Sequence, residues 1–208
     1  MIKAIFLDFE GVITKDGQSM HKGLFPLLKN YYPFEEFDRR YNLAKVGKIS
    51  FEKFMEGIPK NERFLHFDKV NYQDGAKDAL EKLYKKYPLY IASNHTPKYF
   101  EKSIKLLKAK KYFKKLFPSF TLKCAKPHKE YFKKILKLSR KSAAQSIFVD
   151  DAKRNLIPAK EIGFTTVWVN NHVDDSRNNH DYKPDYEITD LRELVKIVEK
   201  LNQKKWNT

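Results

Sequence analysis

Cysteine, acidic residues and long apolar runs are all scarce in this chain. Its single cysteine, Cys124, excludes a disulfide within the chain and is compatible with a reducing compartment. The first apolar run is interrupted at Asp8 and is far too short to cross a bilayer, and no signal peptide is recognisable at the N-terminus. We therefore expect a soluble, cytoplasmic protein that is not stabilised by disulfides.

The shortage of acidic residues gives the chain a strong positive charge. Asp and Glu total 26 against 42 Lys and Arg, so the formal net charge at pH 7 is +16. Such a charge favours anionic partners, which include phosphorylated metabolites, nucleic acid and membrane surfaces. Many of the lysines fall on polar faces of predicted helices, and a solvated basic surface explains them without a dedicated partner.

The chain is long enough to fold around a hydrophobic core. Of its 208 residues, 41% are hydrophobic and 14% aromatic, which predicts a globular protein with one large domain or a core with a small insert. Residues 23 to about 60 show helical periodicity and no convincing central strand, and 61–73 read as a return linker, so we interpret 15–73 as a small α-helical insert. The apolar stripes of its three predicted helices are Leu24, Leu27, Leu28 and Tyr31; Phe37, Tyr41 and Ala44; and Phe51, Phe54, Met55 and Ile58, with Ser50 as the N-cap of the third.

The remaining segments, 1–14 and 74–208, alternate strands and helices. This alternation is typical of a parallel sheet with helices on both faces, so the predicted fold class is α/β with a Rossmann-like core. A last helix is predicted to begin at Asp190, with Glu193 three residues later as in a capping box. The predicted strands are Ala4–Leu7, 89–92, 120–122, 146–149 and Thr165–Val169.

Acidic residues follow two of these strands. Asp8 and Glu10 come after the first strand, and Asp150 and Asp151 come after the strand at 146–149. If both strands are parallel neighbours, the four carboxyl groups converge at the carboxyl edge of the sheet, where ligands bind in open α/β folds. Carboxylates at close range repel one another unless some are protonated or a cation lies among them. An all-oxygen ligand set favours Mg²⁺, which typically binds one or two carboxylates together with phosphate oxygens.

Four segments, in chain order, resemble the four sequence motifs of the haloacid dehalogenase-like (HAD) hydrolase superfamily. They are Asp8-Phe-Glu-Gly11, Ser93, Lys126 and the pair Asp150-Asp151. The resemblance covers residues 1 to about 169 and is weaker over the insert, which it implies is a helical cap that covers the active site and selects the substrate. The Asp-Asp-x-x-x-Asn form of the last motif adds Asn155, one helical turn beyond Asp151.

The resemblance implies a nucleophile and a metal site. Asp8 would attack phosphorus and form an aspartyl-phosphate that water then releases, which divides one difficult displacement into two easier steps. Mg²⁺ would be bound by Asp8, the backbone carbonyl of Glu10 and Asp151, with Asp150 completing the ligand set directly or through water. Asn155 would support these ligands.

The two single-residue motifs and their neighbours imply substrate contacts. Ser93 would donate a hydrogen bond to the phosphoryl group, and Lys126 would neutralise the charge shared by Asp8 and the phosphate, a role suited to the compact charge of an ammonium group. Asn94 is predicted to take part in substrate binding. His95 is expected to border the substrate, and no chemical step is assigned to it.

Glu10 departs from the common pattern of the superfamily, in which most phosphatases carry aspartate as the general acid and base at this position. Glutamate keeps the carboxyl group but adds one methylene, so acid and base catalysis requires an adjusted geometry. The enolase-phosphatase branch also has the sequence Asp-x-Glu-Gly, and dehalogenases lack this acid. The resemblance therefore implies a Mg²⁺-dependent phosphatase acting on a small phosphorylated metabolite, with a phosphomutase of the same superfamily as the alternative.

A competing hypothesis is a catalytically poor HAD-like domain that binds nucleic acid. Basic residues interleave with Tyr112 and Phe113 over residues 105–115, as in surfaces that bind single-stranded nucleic acid. An amphipathic helix with buried aromatic rings and solvated lysines explains the same pattern, and we favour it. A late polar loop contains further potential metal ligands, but their spacing matches no compact site and a solvated loop is the simpler interpretation. These residues are His172, Asp174, Asp175 and His180.

Overall fold

A six-stranded parallel sheet forms the centre of the protein. The computed structural model describes residues 1–15, 24–63, 70–170, 178 and 181–203. Within them the strand order is β3-β2-β1-β4-β5-β6, and each neighbouring pair is parallel. The strands are β1 (Ala4–Leu7), β2 (Leu89–Ser93), β3 (Phe113–Pro118), β4 (Ser146–Asp150), β5 (Thr165–Val169) and β6 (Tyr186–Ile188). The predicted α/β fold with a parallel sheet is confirmed.

Helices cover both faces of the sheet. Because successive strand residues point to opposite faces, Ile5 and Leu7 pack against one helical layer and Ala4 and Phe6 against the other. The first layer contains α4, α5 and α9, and the second contains α7 and α8. The helices of the described residues are α1 (Phe25–Leu28), α2 (Phe34–Ala44), α3 (Phe51–Phe54), α4 (Ala76–Leu83), α5 (Pro97–Leu106), α6 (Ser119–Leu122), α7 (Lys129–Ser139), α8 (Lys153–Ile162) and α9 (Arg192–Gln203).

The connections place a crevice at the carboxyl end of β1. From β1 the chain continues to β2 and β3 on one side and then crosses to β4 on the other side. Neighbouring connections therefore diverge between β1 and β4, and a crevice of this kind is where ligands bind in open α/β sheets. The acidic residues predicted to form the site follow these two strands.

Helices α1, α2 and α3 pack around a hydrophobic cluster of their own, which also includes Tyr99 of α5. The second and third predicted stripes are buried there, and the Ser50 side chain accepts the Lys53 N–H at 3.1 Å as the predicted N-cap. The first stripe is only half correct, since Leu24 and Leu28 are buried but Leu27 and Tyr31 are exposed. With only four residues, α1 is too short to hold one face in register. The domain bounds at 15 and 73 stay a prediction.

Two short pairings join this helical insert to the sheet domain. The outgoing and returning chains form an antiparallel bridge between Thr14 and Tyr72, and the Gln73 N–H donates to the Ile13 carbonyl at 2.8 Å. On the other side, the turn at Gly47 approaches the backbone of Phe120 so closely that a Cβ at Gly47 would lie 2.8 Å from its carbonyl oxygen. The insert is thereby held above the carboxyl edge of the sheet.

The predicted strand at 120–122 is wrong, because these residues lie in α6 and the strand is β3, at Phe113–Pro118. The basic stretch 105–115 is not one helix either: α5 ends at Leu106, the backbone turns at Lys108 with φ of 51°, and β3 begins at Phe113. Of its two aromatic residues, Tyr112 is buried and Phe113 only partly buried, and its lysines are exposed. The simpler interpretation is thus correct for Tyr112 and the lysines.

The last helix has the predicted capping arrangement, since the Glu193 carboxylate accepts the Asp190 N–H at 3.1 Å. No helix of the described ranges is both long enough and apolar enough to span a membrane.

Candidate active site

Strand register brings Asp8 and Asp150 together. Leu7 pairs with Val149 in the parallel ladder between β1 and β4, so the next residues, Asp8 and Asp150, lie side by side at the carboxyl edge. The Asp8 N–H donates to the Val149 carbonyl at 2.9 Å and extends this ladder to the acidic residue itself. Of the four carboxyl groups predicted to converge, those of Asp8, Asp150 and Asp151 therefore meet at this edge, whereas the Glu10 side chain contacts His95 instead.

A buried lysine lies between the two carboxyl groups. Lys126 Nζ is 3.0 Å from Asp8 Oδ2 and 2.7 Å from Asp150 Oδ2, and only 1% of its side chain is exposed. Burial alone would lower the pKa of Lys126, but the charges of Asp150 and Asp8 outweigh it and raise the pKa above its ordinary value. Lys126 therefore stays a cation at neutral pH.

Burial is the largest influence on the pKa of the Asp8 carboxyl group. Loss of solvent raises the pKa of this carboxyl to about 6, with Asp150 also raising it and Lys126 lowering it. One carboxylate oxygen accepts the N–H of Phe9 at 2.7 Å, and the other faces Lys126. These contacts fix the direction of the carboxyl group.

Asp150 is held by hydrogen bonds on both of its oxygens. Oδ2 contacts Lys126, while Oδ1 accepts the Ala152 N–H and the Asn155 side-chain amide, each at 2.9 Å. Asp150 is fully buried, and these charge-assisted contacts compensate its desolvation. Asn155, predicted to support the ligands, thus contacts Asp150 directly.

The residues fit a hard metal ion. Oxygen atoms of Asp8, Asp150 and Asp151 all lie within 4.8 Å of one another, and all three residues are buried. Among the described residues Lys126 is the ammonium that faces this group, so three carboxylates against one ammonium leave an excess of negative charge. Because an all-carboxylate donor set with excess negative charge is suited to a divalent cation, the cluster could hold Mg²⁺.

Two further features of the cluster agree with a bound ion. Gly11 has φ of +76°, and a Cβ there would lie 2.5 Å from Asp151 Oδ2, so only glycine lets the turn after β1 approach this carboxylate. Asn155 Oδ1 is buried and has no hydrogen-bond partner among the residues that the structure describes. A metal-bound water at this oxygen would satisfy it.

Ser93 is the last residue of β2, the strand on the other side of β1, and Asn94 follows it. Ser93 is buried, and its contact with a phosphoryl group stays a prediction. The Asn94 amide donates to the Lys126 carbonyl at 2.8 Å and accepts the Lys126 N–H at 2.9 Å. This double hydrogen bond gives Asn94 a role in positioning Lys126, and its predicted contact with substrate is untested.

The Glu10 side chain extends toward the end of β2. Its Oε1 lies 3.0 Å from His95 Nε2, and 19% of the Glu10 side chain is exposed against 3% of His95. The carboxyl group therefore lies at the boundary between the buried cluster and solvent. Metal binding by the Glu10 backbone carbonyl stays a prediction.

Sequence reasoning missed a connection from the insert to this site. The Ser119 hydroxyl accepts the His95 N–H at 3.1 Å and donates to the carbonyl of Lys45, at the end of α2. Burial and the nearby positive charge of Arg154 lower the pKa of Lys45, although Asp38 opposes them. Positive charge from the insert and from α8 is therefore gathered at their boundary. The four potential ligands predicted in the late loop, His172, Asp174, Asp175 and His180, lie outside the described residues.

Fold and site together define a class of protein. The chain belongs to the haloacid dehalogenase-like hydrolase family, because the sequence model of that family matches residues 7–169, from the end of β1 to the end of β5. This match confirms the resemblance based on the four motifs and makes the protein a member of a family of hydrolases.

Individual relatives are distant in sequence but similar over nearly their whole length. The chain is 22% identical over 213 residues to Pyrophosphatase PpaX of Bacillus mycoides strain KBAB4, and this alignment covers 97% of the chain and 99% of the relative. It is similar to the pyrophosphatase of the same name from Bacillus cereus strain Q1, with 22% identity over 214 residues and the same coverage of 97% and 99%.

Solved structures share the fold. One is a wild-type HAD family enzyme of Bacteroides thetaiotaomicron in complex with magnesium and inorganic phosphate, with a TM-score of 0.69, 22% identity, and coverage of 86% of this chain and 100% of that one. Another is a 2-haloacid dehalogenase of Pseudomonas syringae pv. Tomato DC3000, with a TM-score of 0.71, 16% identity, and coverage of 97% and 100%. At this level of identity both show the fold alone.

Proposed function

We propose that the protein is a Mg²⁺-dependent phosphatase that hydrolyses a small phosphorylated metabolite through an aspartyl-phosphate on Asp8. The observation that carries this proposal is the buried contact of Lys126 with both Asp8 and Asp150, at 3.0 and 2.7 Å, next to Asp151. A lysine that fixes a nucleophilic carboxylate and lies beside a group of metal-binding oxygens suits phosphoryl transfer, in which positioning and charge stabilisation supply most of the catalysis.

Each residue has a defined task in this reaction. Asp8 forms a bond to phosphorus as the bond to the leaving oxygen breaks, and Glu10 gives a proton to that oxygen. In the second step Glu10 takes a proton from water, the water oxygen bonds to phosphorus, and the bond to Asp8 breaks. Lys126 stabilises the negative charge throughout, and the Ser93 hydroxyl donates to a phosphoryl oxygen.

The metal completes the charge balance of the site. Asp8, Asp150, Asp151 and the Glu10 carbonyl would hold Mg²⁺, and Asn155 supports them through Asp150. When bound, Mg²⁺ neutralises the carboxylates and attracts the phosphoryl oxygens.

Retention of a carboxyl group at Glu10 supports a phosphatase over a dehalogenase, because a halide leaving group needs no proton. The name of the Bacillus relatives adds pyrophosphate to the candidate substrates. A phosphomutase would use the same residues but return the phosphoryl group to a second substrate. It is therefore the main alternative within the family.

The test is turnover of p-nitrophenyl phosphate, sugar phosphates, phosphoglycolate, nucleotides and pyrophosphate, with Mg²⁺ or with EDTA. We expect metal-dependent release of phosphate by the wild type and by Asp74→Asn, whose side chain is 86% exposed, and none by Asp8→Asn. Mass spectrometry after acid quenching should find a phosphoryl group on the wild type and on Asp74→Asn only.

Other outcomes identify the alternatives. Transfer of labelled phosphoryl group to a second sugar phosphate, without release to water, would identify a mutase. A folded wild type that turns over no substrate but is retained on RNA or DNA in a salt-dependent way would instead favour the nucleic-acid hypothesis, with the exposed lysines of residues 105–115 as the first candidates for the contact surface.

A further inference from the structure

His95 and Glu10 form a hydrogen-bonded pair across the ends of two neighbouring strands. Glu10 follows β1 and His95 follows β2, and their side chains meet with Oε1 3.0 Å from Nε2. An aspartate at position 10 would place its carboxyl group one carbon–carbon bond, about 1.5 Å, further back. The extra methylene of Glu10 is what brings its carboxyl group into contact with His95.

The imidazole ring is held on all sides. Its Nδ1 lies 3.2 Å from the Thr96 carbonyl, and the backbone N–H of His95 donates to the Ser119 hydroxyl at 3.1 Å. The rings of Phe9 and Phe100 pack against it, with centroids at 6.5 and 5.7 Å. With only 3% of its side chain exposed, His95 presents Nε2 to Glu10 in a single orientation.

The contact between the two side chains does not depend on which of them carries the proton. Either a ring N–H at Nε2 donates to the Glu10 carboxylate, or the protonated carboxyl group donates to Nε2, and both give a hydrogen bond between Nε2 and Oε1. The direction of the Glu10 carboxyl group is therefore fixed by His95 in either case.

We propose that His95 is a positioning residue that holds the Glu10 carboxyl group in the direction needed for proton transfer to the leaving oxygen and from the attacking water. This inference rests on the proposed phosphatase function, in which Glu10 performs both transfers. It explains how a glutamate serves in place of the shorter aspartate: His95 fixes the longer side chain, which would otherwise adopt several rotamers.

Three variants separate positioning from a merely structural role. His95→Leu removes the hydrogen bond but fills most of the volume, His95→Gln can return an N–H close to the place of Nε2, and Glu10→Gln removes the acid itself. A catalytic group misplaced by about 1 Å can cost roughly a hundredfold in rate. We expect kcat of His95→Leu on a sugar phosphate to fall by about ten- to a hundredfold with KM nearly unchanged, and His95→Gln to recover part of the loss.

The double variant is the decisive measurement. If His95 acts only through Glu10, adding His95→Leu to Glu10→Gln causes no further loss of kcat, because residues that act as a unit are not additive. A loss of the same factor in both backgrounds would overturn the proposal, and so would full activity of His95→Leu alone. Melting curves of each variant show that the comparison is made on folded protein.

A second readout follows the two chemical steps separately. p-Nitrophenolate leaves without much need of a proton, so His95→Leu should still form the phosphoenzyme quickly but hydrolyse it slowly. A burst of p-nitrophenol stoichiometric with enzyme is expected, and an equal slowing of both steps, with no burst, would contradict the assignment. A wild type without any turnover would overturn the phosphatase function and this inference with it, whereas an active wild type with additive variants would overturn this inference alone.

Discussion

Replacement of Lys126 by methionine would leave two buried carboxylates facing each other. Asp150 is fully buried and 11% of the Asp8 side chain is exposed, so the loss of the ammonium leaves their repulsion and desolvation uncompensated. Removal of one partner from a buried ion pair costs about 3–5 kcal/mol. In a protein of this length each kcal/mol lowers Tm by about 2–4 °C, so we expect Tm to fall by roughly 6–20 °C in EDTA at pH 7.

The matched control for this experiment is Lys129→Met. Lys129 pairs with Glu161 at 2.8 Å, but the two side chains are 58% and 50% exposed, and such surface pairs contribute about 0–1 kcal/mol. Urea denaturation in EDTA gives the free energy of unfolding for both variants. An equal loss of stability at the two positions would refute the buried-charge argument.

The same measurement can be repeated with Mg²⁺ in place of EDTA. A cation bound among the carboxylates takes over part of the charge that Lys126 supplied, so saturating Mg²⁺ should reduce the difference in free energy of unfolding between Lys126→Met and wild type. Binding at a hundred times Kd stabilises a folded protein by about 2.7 kcal/mol, which urea denaturation resolves. Activity of Lys126→Met should stay low even then, because the ammonium beside the transferred phosphoryl group is missing.

Three further predictions concern the turn after β1, the metal and the last strands. Gly11→Ala should abolish activity and weaken Mg²⁺ binding in calorimetry, while Gly57→Ala should not, because both have positive φ but only the Cβ at position 11 would collide with Asp151. Mg²⁺ should raise Tm of the wild type, and this rise should be absent in Asp151→Asn. Burial raises the pKa of Asp185, but hydrogen bonds, the largest from Lys160, outweigh it and lower the pKa below the ordinary 3.8. The stability that Asp185 contributes is therefore complete above that value and lost as the pH falls below it, so the Tm values of wild type and Asp185→Asn should differ at pH 7 and converge as the pH falls below 3.8.

The central strands could be predicted from sequence because they are buried on both faces. Every residue of β1, β2 and β4 is buried, which gives each a continuous apolar run that ends at a polar residue. The edge strands carry no such signal. In β3 exposed lysines interrupt the pattern, and β6 has only three residues with one of them buried, so both escaped prediction.

The same contrast holds for the candidate site. Asp8 and Asp150 could be placed together because the register of parallel strands fixes the position of the residue after each strand. Lys126 and Asn94 follow loops and strand ends whose paths the local sequence does not determine, so their double hydrogen bond was visible only in three dimensions. The resemblance to the family supplied Lys126, but it contained no information on what holds that residue in place.

Glu10 shows that the effect of a departure from a motif depends on a residue far away in sequence. Taken alone, the added methylene lengthens the side chain, increases its rotamer freedom and makes proton transfer less well directed. In the fold, His95 lies 85 residues away in sequence but at the end of the adjacent strand, with Nε2 turned toward the longer carboxyl group. The buried ring can hold a glutamate but would stand out of reach of an aspartate about 1.5 Å shorter. The glutamate and the histidine are therefore one structural unit, and the consequence of a substitution at either position depends on the residue at the other.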